Sequence, residues 1–359
     1  MTVARPSRTS QSATSAAAKQ EKPVRLRDVA DYLGLSSTTV SLVLNNSPVA
    51  KTLSEETRER VRKAAEKLSY KPNYFARALN QKRNYQIGIL VPDFGEGYNT
   101  SFMTNIEREL VERGYLYFVS SHHWNPEAID LRLRSFVERG VEGVILINTP
   151  LATLPDVPLV VVGSQKLKFR STQISLDNEA GVNAALRHLY ALGHRHIAFV
   201  KGHEGSVDAE PRWRAFVDGC CELGLRIDSK AVVQLHRIDD GLDPIAEGYK
   251  AAETLLASGA RFTAVVAFND MSAIGAMRKF KDAGIDVPGR ISIVGFDNVP
   301  IAGLVDPPLT TISQPIEEMA RVATAEVIAQ IETSGSFRPK QVVVEPELVV
   351  RRSTTALIA

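Results

Sequence analysis

Apolar residues follow two different periodicities along the chain, and the change between them falls near residue 85. In residues 24–70 they recur at helical spacing in three short stretches. The first stretch ends at Gly34, the second begins near Ser36 and the third follows Ser54. Glycine commonly terminates helices, and serine commonly caps their first turn. The pattern predicts a unit of three short helices.

From residue 85 onward, continuous apolar runs alternate with amphipathic helical segments. The runs include "QIGILV", "GVILIN", "PLVVVG" and "ISIVGF". Strands that are apolar throughout belong to parallel sheets covered by helices on both faces. This part of the chain is too long for one sheet, so we predict two α/β lobes with a cleft between them. We place the first lobe at about residues 85–177 and 311–335, the second at about 178–310 and 336–353, and a tail at 354–359.

Charge is distributed unevenly between these two parts. Residues 1–83 contain 16 Lys and Arg against 7 Asp and Glu, whereas the remainder contains 27 against 34. A basic front on an acidic body is typical of a segment that meets a polyanion. On charge alone, a solvated charged surface remains an equal alternative. Residues 1–23 are polar and basic, which predicts a disordered arm.

The cysteines and the first twenty residues indicate the cellular compartment of the protein. Cys220 and Cys221 are adjacent, a spacing that makes an ordinary disulfide unavailable and favours a reducing compartment. The first twenty residues have no apolar central region of the kind found in a secretory signal. We therefore expect a cytoplasmic protein, associated with the nucleoid if it binds DNA.

The spacing within residues 24–45 predicts a helix-turn-helix. In this motif two helices cross at a large angle over a short turn, which requires a small residue where they touch. Ala30 is small, Gly34 follows at the turn, and Val40 lies on the next helix. A generic amphipathic helical hairpin could match part of this pattern. We favour DNA binding.

These residues resemble the lac repressor/galactose repressor family of bacterial transcription regulators. The headpiece and hinge resemblance lies in "VRLRDVADYLGLSSTTVSLVLNNS" and "SEETRERVRKAAEKLSYKPNYFARAL". Later segments resemble the family's effector domain: "GHRHIAFV", "FNDMSAIGAMRKFKDAGIDVPGRISIVGFDN" and "PPLTTISQP". The resemblance implies an all-α helix-turn-helix headpiece joined to a two-lobe, periplasmic-binding-protein-like (type I) α/β effector domain. It also implies a homodimeric regulator, a repressor by expectation, that binds a palindromic DNA operator under control of a small effector such as a sugar.

The resemblance assigns DNA-contacting roles within the second helix. Its early residues, Ser37 and Thr38, would face base edges in the major groove, with Leu42 one turn later. Leu42 departs from the Arg or His of many relatives, and a partly buried helix residue is an equal alternative for it. Phosphate contacts are expected from the other polar residues of this segment, namely Ser36, Thr39, Ser41 and Asn45.

The linker at residues 71–84 is implied to form a hinge helix on DNA. In the family a leucine from this helix wedges into a minor-groove step and kinks the duplex. Leu79 occupies that position here. Without the resemblance, Leu79 would read as an ordinary apolar helix residue. Lys71 and Arg77 are then expected to contact phosphates.

For the effector site, the resemblance implies Tyr98, Arg212, Asn269 and Asp297. Asn269 and Asp297 each follow an apolar strand, where open α/β sheets bind ligands. Turn capping is the alternative for both. Further aromatic candidates that could instead be core residues are Phe268, Trp213 and Trp124. Gly163 departs from the family, because several relatives have Asp there, and Ser164 or Gln165 could substitute.

Other classes of protein find less support in the sequence. The chain lacks the glycine-rich nucleotide motifs, the GxSxG elbow and the HExxH motif, so we do not expect an enzyme or a cofactor. A free solute-binding protein would lack the basic headpiece. The histidines of "SSHHW" and "GHRHI" could suggest a metal, but adjacent histidines do not converge easily on one ion, and structural roles are favoured.

Overall fold

A computed structural model gives the architecture of the chain. It describes residues 24–45, 47–71, 83–95, 97–165, 167, 171–236, 243–333 and 337–357. The predicted arm at residues 1–23 and most of the predicted hinge, with Arg77 and Leu79, lie outside the described residues. The chain divides into two units, residues 1–83 and residues 84–359.

The first unit contains the three predicted helices. They are α1 (Leu26–Leu33), α2 (Ser37–Leu44) and α3 (Glu55–Lys67), with a 3-10 turn at Pro48–Thr52 between the last two. Gly34 ends α1 with a φ of 64°, and its N–H bonds back to α1 carbonyls. This left-handed conformation is one that glycine adopts without steric cost.

Local capping and a small core hold the first unit together. The Ser36 hydroxyl accepts from the N–H of Thr39, and the Ser54 hydroxyl accepts from that of Thr57, so α2 and α3 each begin at a capped turn. Ala30 is 1% exposed, which lets α1 approach its neighbours closely. The other buried apolar residues of this core are Val29, Val40, Val43, Ala50, Val61 and Ala64.

The second unit is built on two six-stranded sheets. In the first sheet all strands are parallel, in the order β2-β1-β3-β4-β5-β11. These strands are β1 (Gln86–Val91), β2 (Leu116–Ser121), β3 (Gly143–Ile147), β4 (Leu159–Val162), β5 (Thr172–Leu176) and β11 (Gln341–Val344). The central strands β1, β3 and β4 are buried almost throughout, as continuous apolar runs predict.

The second sheet has the order β7-β6-β8-β9-β10-β12, in which only the edge strand β12 is antiparallel to its neighbour. Its strands are β6 (Ile197–Lys201), β7 (Val232–Gln234), β8 (Ala264–Val266), β9 (Ser292–Asp297), β10 (Thr310–Ser313) and β12 (Glu347–Val349). The two predicted α/β lobes are thus confirmed by two separate sheets.

Helices cover both faces of each sheet. The first lobe has α4 (Tyr98–Glu112), α5 (Pro126–Glu138) and α10 (Ile316–Glu332). The second lobe has α6 (Asn178–Ala191), α7 (Ala209–Glu222), α8 (Pro244–Ala257) and α9 (Asp270–Asp282). In the first lobe, α4 and α10 pack on one face of the sheet and α5 on the other. In the second, α8 and α9 share one face and α6 and α7 the other.

The chain crosses between the lobes three times, and the last part differs from the predicted boundaries. We assigned residues 311–335 to the first lobe and 336–353 to the second. Instead, β10 pairs with β9 in the second sheet, and β11 pairs with β5 in the first. Strand β12 then returns to the second sheet. Each is a short strand-like run of sequence, and the apolar pattern alone does not tell which sheet a strand will join.

Candidate functional site

A cavity lies between the two lobes of the second unit, at the carboxyl ends of their strands. It has a volume of about 90 Å³. One water needs only about 10–15 Å³ of such space, so a small molecule fits. The first lobe contributes Tyr98 and Trp124, and the second contributes Arg212 and Asp297. This is the position where open α/β sheets place their ligands.

Arg212 is fixed on α7 by hydrogen bonds from two of its nitrogens. Its Nε donates to Asn178 Oδ1 at 2.9 Å, and its Nη1 donates to the carbonyl oxygen of Phe268 at 2.6 Å. The guanidinium also lies 3.6 Å from the ring centroid of Phe296. Arg212 is 4% exposed, so its planar charge is held rigidly at the cavity wall.

Asp297 ends β9 beside this guanidinium. Its Oδ1 lies 3.8 Å from Arg212 Nη2 and accepts a hydrogen bond from Gln314 Nε2 at 2.6 Å. Burial raises the pKa of Asp297 to about 7, although Arg212 and the Gln314 hydrogen bond act in the opposite direction. The residue has a φ of 108°, a strained conformation for a side chain with a Cβ. Asp297 bonds the Gln314 side chain rather than a turn N–H, so turn capping does not describe it.

Asp270, the first residue of α9, is a buried acid that sequence reasoning missed. Its carboxylate accepts from the N–H of Val299 at 2.9 Å and from the hydroxyl of Thr311. Burial, followed by the nearby charge of Asp297, raises the pKa of Asp270 to about 8. The motif "FND" gave no signal for this, because an acid in the first turn of a helix is usually exposed and favoured by the helix dipole.

Asn269 is both a helix cap and a cavity residue. Its Oδ1 accepts from the N–H of Ser272 at 2.9 Å at the start of α9. The capping alternative for Asn269 therefore applies, but the residue also lines the cavity. With Oδ1 engaged, the Nδ2 amide is the group that can donate to a ligand.

Tyr98 reaches the cavity from the first lobe, at the first turn of α4. The pKa of its phenol is raised well above 10, first by burial and then by the charges of Asp208 and Asp297. Both carboxylates belong to the second lobe. Tyr98 therefore faces them across the cleft as a neutral hydrogen-bonding group at neutral pH.

The three aromatic candidates have different positions. Phe268 lines the cavity, with the guanidinium of Arg212 4.8 Å from its ring centroid. Trp124 also lines the cavity. Trp213 packs instead in the core of the second lobe, with its ring centroid 5.7 Å from that of Phe199, so the core alternative holds for it.

In the first unit, two polar residues of α2 bond the residues that cap its two ends. Ser36 and Thr39 share a hydrogen bond of 2.8 Å between their hydroxyls, and Asn45 Nδ2 donates to Ser41 Oγ at 3.0 Å. Each of these four residues thus holds the helix in shape besides any contact with DNA.

Ser37 and Thr38 are exposed at the start of α2, as is Ser36, whose hydroxyl is engaged in the helix cap. Leu42 is half-buried and packs against the core of the unit, so the structural alternative for Leu42 applies. Lys71 is exposed. Of the predicted base-contacting residues, Ser37 and Thr38 are therefore the most open to a partner.

Comparison with known proteins identifies the family. Residues 25–73 match the family model of the bacterial regulatory proteins, lacI family. Residues 186–354 match the model of the periplasmic binding protein-like domain. The transcriptional regulator GalR of Escherichia coli (strain K12) is 33% identical over 337 residues, which cover 92% of this chain and 95% of GalR. The regulator DegA of Bacillus subtilis (strain 168) is 31% identical over 92% of this chain and 98% of DegA. The chain belongs to the lacI family.

Solved structures agree with this assignment. A lac repressor dimer bound to operator and the anti-inducer ONPF superposes with a TM-score of 0.81 at 26% identity, covering 93% of this chain and 100% of that chain. The lacI-family relatives are helix-turn-helix transcription regulators. This chain is accordingly a DNA-binding transcription regulator with a periplasmic-binding-protein-like effector domain, and not an enzyme. Within its described residues, every helix is too short or too polar to span a bilayer.

A structural reason accounts for Gly163, the position at which the resemblance implies Asp in several relatives. Its φ is 129°, and a Cβ at this position would lie 2.6 Å from Cγ2 of Val207 in the other lobe. The two lobes therefore approach too closely here for a side chain. Neither Ser164 nor Gln165 lines the cavity, and the Gln165 side chain bonds the backbone at Thr149 and Leu151.

Sequence reasoning also missed several polar residues of the cavity wall. Asp93 follows β1 and Asp208 precedes α7, both near the carboxyl edges of the sheets. His203 follows β6, and Glu247 lies in the first turn of α8. The position after a strand could have indicated Asp93 and His203. Glu247 carried no such signal, since an acid early in a helix is ordinarily a surface residue.

Proposed function

We propose that the chain is a repressor that binds a palindromic operator as a homodimer and is controlled by a small sugar-like molecule held in the interlobe cavity. The observation that supports this most directly is the meeting of Arg212, Asp297 and Tyr98, from both lobes, at one small cavity. A regulator needs a ligand that contacts both lobes, because such a ligand can favour one arrangement of them over another.

The chemistry of the cavity suits hydroxyl groups. Each hydroxyl donates one hydrogen bond and accepts others, so it pairs well with a carboxylate next to a fixed guanidinium. Asp297 and Arg212 offer such a pair, and Asn269 and Tyr98 add donors. Solved relatives include a transcriptional regulator CelR–cellobiose complex, with a TM-score of 0.67 at 25% identity, and a lacI-family regulator from Enterococcus faecium with bound ribose.

For operator recognition, we propose that α2 enters the major groove with Ser37 and Thr38 at base edges. Their exposure supports this assignment. Thr38 carries both a hydroxyl and a methyl that suits a thymine methyl. Leu42 would then make at most an apolar contact. Phosphate contacts would come from the remaining polar residues of the segment, namely Ser36, Thr39, Ser41 and Asn45.

For the hinge, the proposed DNA contacts rest on sequence resemblance alone. Leu79 would be the minor-groove wedge, and Lys71 and Arg77 would contact phosphates. Two copies related by a two-fold axis require two inverted half-sites, hence a palindrome. We place this activity in the cytoplasm, at the nucleoid.

Control of DNA binding follows from linkage. If the effector binds the operator-bound protein less tightly than the free protein, it lowers operator affinity by the same factor, and the opposite preference makes it a co-repressor. The size of the response is set by the difference between the two affinities and not by the affinity itself.

Selection from a random pool of DNA duplexes tests this function. The purified protein is mixed with the pool, with and without a small-molecule extract of cells, and the bound duplexes are sequenced. We expect a palindrome to be enriched, and we expect the extract to change the enrichment. A protein that enriches no sequence under either condition would contradict the proposal.

A further inference from the structure

The wall of the interlobe cavity carries more acidic groups than a neutral sugar requires. Its lining includes four carboxylates, those of Asp93, Asp208, Glu247 and Asp297, and a single guanidinium, that of Arg212. Arg212 lies 3.8 Å from Asp297, so these two charges balance first. Three carboxylates then remain, of which Glu247 also bonds the imidazole of His203 through one of its oxygens.

Glu247 is the most informative of the three. Its side chain is 2% exposed, and its Oε2 lies 2.8 Å from His203 Nε2. The other oxygen, Oε1, is buried and has no hydrogen-bond partner among the described residues. A buried carboxylate oxygen without a partner is costly, and a small rotation of the Glu247 side chain toward the cavity would let a ligand donor remove that cost.

Asp208 and Asp93 extend the acidic wall on both sides of the cleft. In the second lobe, Asp208 Oδ1 accepts from the N–H of Ser164 at 3.1 Å and from Asn178 Nδ2 at 3.0 Å, which leaves its second oxygen for a ligand. In the first lobe, Asp93 Oδ1 accepts from the N–H of Gly95 at 2.9 Å. Both side chains are half-buried and fixed in place.

An aromatic residue, Trp124, is linked to Glu247 through His203. The ring of Trp124 stacks on His203 with 6.1 Å between centroids and an interplanar angle of 30°. His203 in turn bonds Glu247, and all three line the cavity. An indole and a buried carboxylate on the same cavity wall both attract an ammonium group, the indole through its π-system and the carboxylate through its charge.

A metal ion does not account for these acids. Among the residues that the structure describes, no group of three His, Cys, Asp or Glu side chains is close enough together to hold a metal. The acidic groups are spread along the wall, so they suit an extended molecule with one cationic end and several hydroxyls.

We propose that the effector is a cationic polyol, an amino sugar or a similarly aminated polyhydroxylated molecule, whose ammonium binds at Glu247 and Trp124 while its hydroxyls bind at Arg212 and Asp297. This inference rests on the proposed function, because it takes the interlobe cavity as the effector site. It adds Glu247, Asp208 and Trp124 as the residues that determine specificity.

Matched pairs of sugars test the charge requirement without any substitution. Full-length protein is titrated by calorimetry with D-glucosamine against D-glucose and N-acetyl-D-glucosamine, and with D-galactosamine against its two counterparts. We expect at least one amine to bind about tenfold or more tightly than its neutral partners, the difference of one charge-assisted hydrogen bond. Neutral partners that bind equally well, or a panel in which no amine binds, would overturn the inference.

Substitution of Glu247 tests where the ammonium group of the ligand binds. Glu247→Gln keeps the shape and removes the charge, so it should reduce the preference for the amine about tenfold while neutral sugars change little. Glu210→Gln is the matched control, since Glu210 is exposed on α7 and pairs with Arg214 outside the cavity. An unchanged preference in folded Glu247→Gln protein would overturn the assignment.

Failure of this inference and failure of the proposed function give different results. If a neutral sugar binds and Asp297→Ala abolishes that binding, the cavity is the effector site and only the cationic ligand class is wrong. If an operator-active molecule binds equally well to wild type and Asp297→Ala, the effector site itself lies elsewhere.

Discussion

Polar side chains have different surroundings in the two units of the chain. In the first unit they lie at the surface of α2 and bond neighbours on the same helix, as Ser36 does with Thr39. In the interlobe cavity they are buried and bond across elements, as Arg212 does with Asn178 and Phe268. One surface is therefore open to be covered by a partner, and the other is organised before a ligand arrives.

This difference determines what a substitution can do. A surface side chain contributes little to the fold, so its removal is felt mainly in partner binding. A buried charged side chain leaves its own partners unsatisfied when removed, so the fold and the ligand are both affected.

Asp297→Ala should reduce effector affinity by about 100-fold or more, because it removes the ligand acceptor and leaves the buried Arg212 without its counter-charge. Operator affinity without effector should stay within a few-fold of wild type. Calorimetry and fluorescence anisotropy measure the two affinities. Asp282→Ala, an exposed acid of the same lobe that pairs with Arg278, serves as the control. Normal effector affinity in Asp297→Ala would show that the cavity assignment is wrong.

The stability of the second unit should fall as the pH rises. In the folded state the pKa of Asp270 is raised to about 8 and that of Asp297 to about 7, above the ordinary value of 3.8. The folded state therefore binds more protons than the unfolded state between about pH 4 and pH 8, so this contribution is complete at low pH and lost above about pH 8. From pH 6 to pH 8 we expect a loss on the order of 4 kcal/mol in the free energy of unfolding.

Urea denaturation of the full chain at both pH values measures this effect. Asp270→Asn should be about as stable as wild type at pH 6, since its amide can accept from the N–H of Val299 and donate to the hydroxyl of Thr311 as the protonated acid does, and its stability should vary less with pH. A wild-type protein that is equally stable at pH 6 and pH 8 would be incompatible with buried protonated acids at the cleft.

Thr38→Ala should weaken operator binding about three- to tenfold and relax the preference at one base pair in each half-site. Because Thr38 is exposed, the unfolding free energy should change by less than about 0.5 kcal/mol. Competition with single-base operator variants measures the specificity. An equal loss of affinity for every sequence would make Thr38 a phosphate contact.

Ser36→Ala should show the smallest effect on recognition. The loss of the cap at Thr39 costs about 1 kcal/mol of stability in the first unit. Since Ser36 is proposed to contact phosphate only, base preference should not change. If this variant selected duplexes with an altered consensus sequence, Ser36 would have to lie at a base edge.

Local patterns predicted the elements and part of the site. Capping residues and Gly34 marked the helices of the first unit, and apolar runs marked the strands because buried parallel strands require them. Arg212 and Asp297 were found through the family resemblance and the position after a strand. Each of these features is indicated by a few neighbouring residues of the sequence.

What could not be predicted depends on contacts between distant segments. Strand β11 joins the first sheet through pairing with β5, a choice that its own sequence does not specify. Glu247 and Asp270 resemble ordinary first-turn acids, and only the packing of the second lobe buries them. Trp124 and Trp213 have the same chemistry, and tertiary structure alone places one at the cavity and the other in the core.

The most direct test of the central claim is the response of operator binding to effector in two proteins. Fluorescence anisotropy on the selected operator gives the affinities of wild type and Asp297→Ala, with and without the small-molecule extract. We predict operator affinities within a few-fold of each other without extract, and a shift with extract in wild type alone. The same shift in both proteins, or no shift in wild type, would contradict control through the interlobe cavity.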